Sequence, residues 1–298
     1  MKKSKIFKLY FKYIKSHLTK VGFLFIMYII TLKRDDYMRI VFKVGTSTLA
    51  YPSGRLNIRR VKELCTVLSD LKNSGIEIVL VTSGAIGMGV GKLSLGERPA
   101  DMATKQAAAA VGQCELMYVY DKEFGKYNHT VAQLLLTAND FKNEERYSNL
   151  QGTMLRLLSL GALPIVNEND TIATEEIKVG DNDTLSALVA VAVNANMLIL
   201  LSDIDGLYTA NPHNDKNAKL IKEVNEITPE ILALGGGAGS SLGTGGMATK
   251  LHAAQIATEN GCDMVIMNGA APEKIYDLFE CGKIGTYFHA SVEKKERR

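Results

Sequence analysis

Two lysines, far apart in the chain, sit where an anion could be held. Lys43 lies in "KVGTS", at the end of the apolar stretch "RIVFKV" and just before Gly45, Thr46 and Ser47. A cation there stands beside small residues whose backbone N–H groups are free to face a phosphate. Lys250 closes "GTGGMATK", after a run of twelve residues (235 to 246) of which seven are glycine. A P-loop would need G-x-x-x-x-G-K-[ST], but Lys250 follows Thr249 and precedes Leu251. The stretch 243 to 248 also fits a loose G-x-G-x-x-A dinucleotide pattern, yet it comes late and follows more glycine rather than a strand. What remains is a glycine loop running into a helix whose first turn carries Lys250. That helix end and ammonium suit one phosphate. A third small-residue stretch, "SGAIG" from Ser83 to Gly87, reads as an anion nest or a tight turn.

Acids and amides form two further clusters, "NEND" (Asn167 to Asp170) and "GDND" (Gly180 to Asp183). Turns rich in Asn and Asp are common, so either cluster alone is open to a structural reading, as is the lysine of "KVGTS". No Ser-His-Asp arrangement is present. The histidines at 17, 129, 213, 252 and 289 and the cysteines Cys65, Cys114, Cys262 and Cys281 are scattered without metal-ligand spacing. Phosphoryl transfer suits this inventory, because it needs positioning and charge neutralisation more than a covalent nucleophile.

The elements that must position these residues alternate. Strands are expected at 39 to 44, 77 to 82, 130 to 137, 162 to 170, 197 to 208 and 263 to 269. Between them lie helices from Ile58 to Leu71, at 105 to 120, 150 to 160, 181 to 195 and 246 to 261. Such an order predicts an α/β fold with a mostly parallel sheet covered on both faces. In such sheets ligands sit beyond the carboxyl ends of the strands, which is where "GTST", "SGAIG", "NEND" and "SDIDG" fall.

With 298 residues, 46% hydrophobic and 22% charged, the chain has the composition of a globular protein with a sizeable core. Its four dispersed cysteines suit a reducing cytoplasm. Residues 1 to 37 hold nine Lys or Arg against two Asp, a charge of +7, leaving −4 for the rest of a chain whose total is +3. The main body therefore gains no electrostatic support for nucleic-acid binding. The apolar run Val21 to Leu32 is twelve residues, short of the ~20 that span a bilayer. Residues 1 to 37 are read as an extension, a start-site artefact or a poorly packed appendage, ahead of one domain from Met38 to 298. No membrane association is expected for 38 to 298.

Together the motifs "FKVGTSTL", "IVLVTSGAIGMG", "KQAAAAVGQ", "LPIVNENDTIATEEIKVGDNDTLSALVA", "LILLSDIDGLYTANP" and "GTGGMATKLHAAQIA" resemble the amino acid kinase family, over residues 39 to about 290. Within it the chain resembles most closely the group that phosphorylates glutamate. The resemblance implies a three-layer α/β/α sandwich and transfer of phosphate from ATP to the γ-carboxylate of L-glutamate, the first step of proline biosynthesis. Lys43 and Lys250 would neutralise the migrating phosphoryl group, with Asp183 holding the two in register. Ser83, Asn167, Asp170 and Asn182 match the family's glutamate-binding positions. Asp170 would suit the substrate's ammonium, and the amides and hydroxyls its carboxylates. Nucleotide would be held by Lys43, Gly45, Thr46, Ser202, Asp203, Thr244, Gly245, Gly246, Met247, Ala248, Thr249 and Lys250. Mg²⁺ would accompany ATP, bound mostly by phosphate oxygens and water. Feedback binding of proline and a homo-oligomer are also implied. The chain ends eight residues after "GTYFHA", which leaves no room for the PUA domain that family members often carry. Another carboxylate kinase of the same fold, or a catalytically silent amino-acid or nucleotide sensor, are the alternatives.

Overall fold

The structure, a computed structural model, describes residues 38–51, 56–97, 99–173, 179, 181–212, 214–236, 246–282 and 284–291. The reading of residues 1 to 37 as an extension lies outside the described residues. So do Thr244 and Gly245.

Eight strands form one sheet: β1 (Arg39–Val44), β2 (Glu77–Val81), β3 (Val131–Leu136), β4 (Leu163–Glu168), β5 (Met197–Ser202), β6 (Glu223–Val224), β7 (Asp263–Asn268) and β8 (Thr286–Phe288). Their order is β3-β4-β2-β1-β5-β7-β8-β6. The pairing is parallel except between β7 and β8, which run antiparallel. The helices are α1 (Thr46–Leu49), α2 (Ile58–Asn73), α3 (Ala85–Lys92), α4 (Met102–Gly125), α5 (Ala138–Lys142), α6 (Glu144–Ser159), α7 (Asn182–Ala192), α8 (Pro229–Ala233), α9 (Met247–Glu259) and α10 (Lys274–Cys281).

Strand alternation sorts the side chains into two cores, one on each face of the sheet. Val41, Val81, Val166 and Leu200 face one way and pack with α6, α7 and α9. Ile40, Phe42, Leu80 and Ile165 face the other and pack with α2, α4 and α10. The fold is therefore the expected three-layer α/β/α arrangement, and its helices fill both faces because a central parallel strand has no face to spare for water. Alternation has a direct consequence for the site. Lys43 is two residues from Val41, so it shares the face covered by α7 and α9. Asn167 is two residues from Ile165, so it shares the face covered by α4.

Strands β6 and β8 and helices α1, α5, α8 and α10 lie outside the expected segments, and two further differences bear on the site. The turn read in "SGAIG" ends at Gly84, whose φ of +102° needs glycine, and Ala85 already begins α3. Four glycines in or before this helix argue against it on propensity. Packing overrides propensity here. A Cβ on Gly89 would lie 1.7 Å from the Ala108 carbonyl oxygen of α4, and one on Gly112 would lie 1.8 Å from that of Ala85. The two backbones thus touch at positions only glycine allows. Helix α4 is also longer than the apolar pattern alone gives, starting at Met102 because Asp101 caps it through Thr104 N–H at 2.8 Å. Among the described residues, no helix is long and apolar enough to cross a membrane.

Candidate active site

Four segments meet at the carboxyl end of the central strands. Lys43 enters from β1, whose neighbours β2 and β5 bring Val81 and Leu200 into register with it. Directly after β1, the backbone at Gly45 passes beside the lysine: a Cβ there would make ordinary contact, 3.6 Å from Lys43 Nζ. Thr46 starts α1 beside the turn at Gly84, with its methyl 3.8 Å from where a Cβ would be.

Asp183 lies in the first turn of α7, a helix capped by Asp181, whose carboxylate accepts the Thr184 N–H at 2.7 Å. Its side chain is 1% exposed, and one oxygen lies 2.6 Å from Lys43 Nζ. The other accepts from Lys250 Nζ at 3.1 Å and from the Thr249 hydroxyl at 2.9 Å. Both lysine side chains are nearly buried, at 11% and 7%. Burial pushes the Asp183 carboxyl toward its neutral form. The two ammonium groups outweigh that, and hold its pKa below the ordinary carboxylate value. The cluster therefore carries two positive charges against one negative. At ~4 Å and an effective dielectric of ~20, a unit charge pair is worth about 4 kcal/mol, so two ammonium groups side by side favour an incoming anion.

Lys250 reaches this point from α9, which opens at the N-cap Gly246, a residue with no side chain to cap it. Met247, Ala248 and Thr249 thus form a helix start with backbone donors to offer an anion. Thr249 Oγ1 is also within 2.8 Å of the Gly246 carbonyl. Ser202 ends β5 and Asp203 follows it, with the serine hydroxyl donating to the Asp203 carboxylate at 3.1 Å. The structure brings Lys43, Asp183 and Lys250 into contact, with Gly45 and Thr249 beside them; Thr46 follows β1, and Ser202 and Asp203 lie at the carboxyl end of the neighbouring β5.

The predicted substrate residues form a second cluster, built from dipoles. Asn182 Nδ2 donates to the Thr82 carbonyl at 2.7 Å, to Ser83 Oγ at 2.8 Å and to Asn167 Oδ1 at 3.0 Å. Its amide hydrogens are therefore engaged within the protein, and what it can present to a ligand is an oxygen. Asn167 in turn donates to Gln113 Oε1 at 2.9 Å and accepts the Glu168 backbone N–H at 2.9 Å. Asp170 follows β4 two residues beyond Glu168, at the same edge. Sequence reading assigned no role to Gln113, Thr249's link to Asp183, or Glu168, whose carboxylate accepts the Val179 N–H at 2.6 Å just ahead of α7. A signal for Gln113 was present: it interrupts the buried stripe Ala109, Gly112, Leu116 and Tyr120 of α4 with an amide.

A model described as the amino acid kinase family matches residues 38–268. The chain is 54% identical over 259 residues to the glutamate 5-kinase of Clostridium perfringens, covering 86% of this chain and 96% of that one. It is 55% identical to the glutamate 5-kinase of Clostridium acetobutylicum, over 86% and 97% of the two chains. Among solved structures, a carbamate kinase from Giardia lamblia bound to AMP-PNP superposes with a TM-score of 0.62 at 17% identity, covering 87% of this chain and all of that one. Isopentenyl phosphate kinase of T. acidophilum gives 0.59 at 16% identity, over 85% of this chain and all of that one. Likeness at those identities speaks for the fold alone.

Proposed function

The chain belongs to the amino acid kinase family, and on that premise we propose that it moves the γ-phosphoryl group of ATP onto the γ-carboxylate of L-glutamate. The relatives above, at 54 and 55% identity over nearly their full lengths, support this activity. The observation that carries the chemistry is Lys43 and Lys250 held on the two oxygens of one buried carboxylate. A carboxylate oxygen of glutamate forms a bond to the γ-phosphorus as the bond from that phosphorus to the β,γ-bridging oxygen breaks. The products are γ-glutamyl phosphate and ADP. The nucleophile arrives already ionised, so no general base is needed. Asp183, paired twice and with a depressed pKa, is suited to hold the ammonium groups and ill suited to take a proton.

The chain's own residues do the remaining work by placement. Lys43 and Lys250 offset charge as it spreads over the transferring oxygens. Backbone donors at Gly45, Thr46 and the start of α9 hold the β- and γ-phosphates, and Ser202 and Asp203 border the nucleotide. Asp170 and the outward oxygen of Asn182 suit the substrate's ammonium, and Ser83 and Asn167 its carboxylates. Among the described residues no cluster of His, Cys, Asp or Glu could hold a metal ion, and Asp183 is engaged by two lysines. That donor set fits Mg²⁺ carried in on the nucleotide, where it would neutralise phosphate oxygens. Inhibition by proline, assembly into a homo-oligomer and a place in the cytoplasm at the first step of proline biosynthesis complete the reading. Family resemblance supports them.

Incubation with ATP and, separately, glutamate, N-acetylglutamate or aspartate tests the reading, with hydroxylamine trapping the acyl phosphate. Glutamate alone should give hydroxamate. Turnover of another acid while glutamate stays inert would reject it. Added proline in the same assay, and light scattering, check the two regulatory parts.

A further inference from the structure

The backbone dictates which way the amide chain is polarised. The Thr82 carbonyl can only accept, so the group of Asn182 facing it at 2.7 Å must be the NH₂. The Glu168 N–H can only donate, so the group of Asn167 facing it must be the oxygen. Asn167 is therefore left with its NH₂ toward Gln113, and Gln113 must answer with Oε1. Every orientation is then fixed by two main-chain groups. The chain runs from α7, across the carboxyl end of β4, to α4 on the opposite face of the sheet. It terminates in Gln113 Nε2, a buried amide nitrogen on a residue only 7% exposed, with no acceptor among the described residues. A buried donor without a partner is uncommon and costly. This one ends a line of hydrogen bonds that begins next to Asp183.

We propose that Gln113 Nε2 donates to the α-carboxylate of the amino-acid substrate, making Gln113 a specificity-determining residue. The inference rests on the glutamate kinase reading above. The γ-carboxylate must reach the lysine pair, which lies at the Asn182 end of the chain. The donor at the far end is placed for the other end of the substrate. It also adds a donor beside Ser83 and Asn167 in a cluster where the hydrogens of Asn182 are already used within the protein. A merely structural glutamine would instead leave substrate discrimination untouched.

The test compares the full chain with Gln113→Glu and Gln113→Met, using glutamate and glutamic acid α-amide as acceptors and hydroxylamine as the trap. Gln113→Glu keeps an oxygen for Asn167 and replaces the donor with a second acceptor. The glutamate KM should rise about 10- to 100-fold, the range of one hydrogen bond to a charged group, with kcat falling far less and the ATP KM holding steady. The preference for glutamate over its α-amide should shrink at least about tenfold, because the amide can donate to the new carboxylate while a carboxylate is repelled. An unchanged glutamate KM, or an unchanged preference, overturns the proposal while leaving the kinase reading intact. A wild-type chain inert toward glutamate removes both. Should Gln113→Glu fail to fold, Gln113→Met decides: a glutamate KM raised tenfold or more supports the assignment, and one within twofold overturns it.

Discussion

Asn182 and Asp183 are neighbours in one helical turn, yet they belong to different devices. About 100° of rotation per residue sends them to different partners. Asp183 meets Lys43 and Lys250, a cluster of full charges on one face of the sheet. Asn182 meets Ser83 and Asn167, a line of neutral dipoles that crosses to the other face. In the proposed function the charged group, two lysines on one carboxylate, answers to charge on a moving phosphoryl group. The amide line, in the same proposal, answers to the shape and polarity of a ligand that must be told from its analogues. The proposed function thus places chemistry and recognition one residue apart in sequence and a helix rotation apart in space.

On that proposal, substitutions on the two sides should fail differently. The largest effect belongs to Asp183→Asn, which removes the buried carboxylate charge that both ammonium groups share. Breaking a buried pair costs about 3–5 kcal/mol, and kcat should drop by about 10³ as the lysines part, read by steady-state kinetics beside thermal melting. Acid should reveal the same group. The folded pKa of Asp183 lies below its unfolded value, so its stability is complete above the unfolded value of about 3.9 and is lost as pH falls through the lower folded one. The melting-temperature gap between wild type and Asp183→Asn should stay level from pH 7 to about 5 and close below about pH 4. A gap closing near neutrality would contradict the ion-pair account.

Next in size, Lys250→Ala should lower kcat about 10²–10³-fold while the glutamate KM changes by less than about threefold, because its contact strengthens with transferring charge. Asp170→Ala should do the reverse, raising the glutamate KM about 10- to 100-fold with a small change in kcat. If these two patterns exchanged places, the division between the clusters would be wrong. The smallest effect is expected from Thr249→Ala. It removes one hydrogen bond to Asp183 and leaves both lysines, so kcat should fall about 3- to 10-fold. A loss as large as that of Lys250→Ala would put Thr249 in the first rank of the charged cluster.

Much of the fold was legible before any coordinates. Strand and helix order follows from the period of the apolar residues, and β1 to β5 and β7 fall within the expected segments. Helix α3 was not legible, since its glycines lower helix propensity and its reason for existing is Ala108 on another helix. Gln113 stood inside a motif that reads as a packing helix, and its function depends on which carbonyl happens to face Asn182. Neither fact has a local signature.

What the sequence determined by itself was which residues could carry charge or a dipole and at which strand ends they would emerge, because alternation and helical period act over a few residues. Tertiary structure alone decided that Lys43 and Lys250 share one carboxylate across 207 positions of chain, and that three amides point in a single direction. Coulomb attraction and hydrogen-bond polarity act through space between groups that only the folded sheet brings within 3 Å.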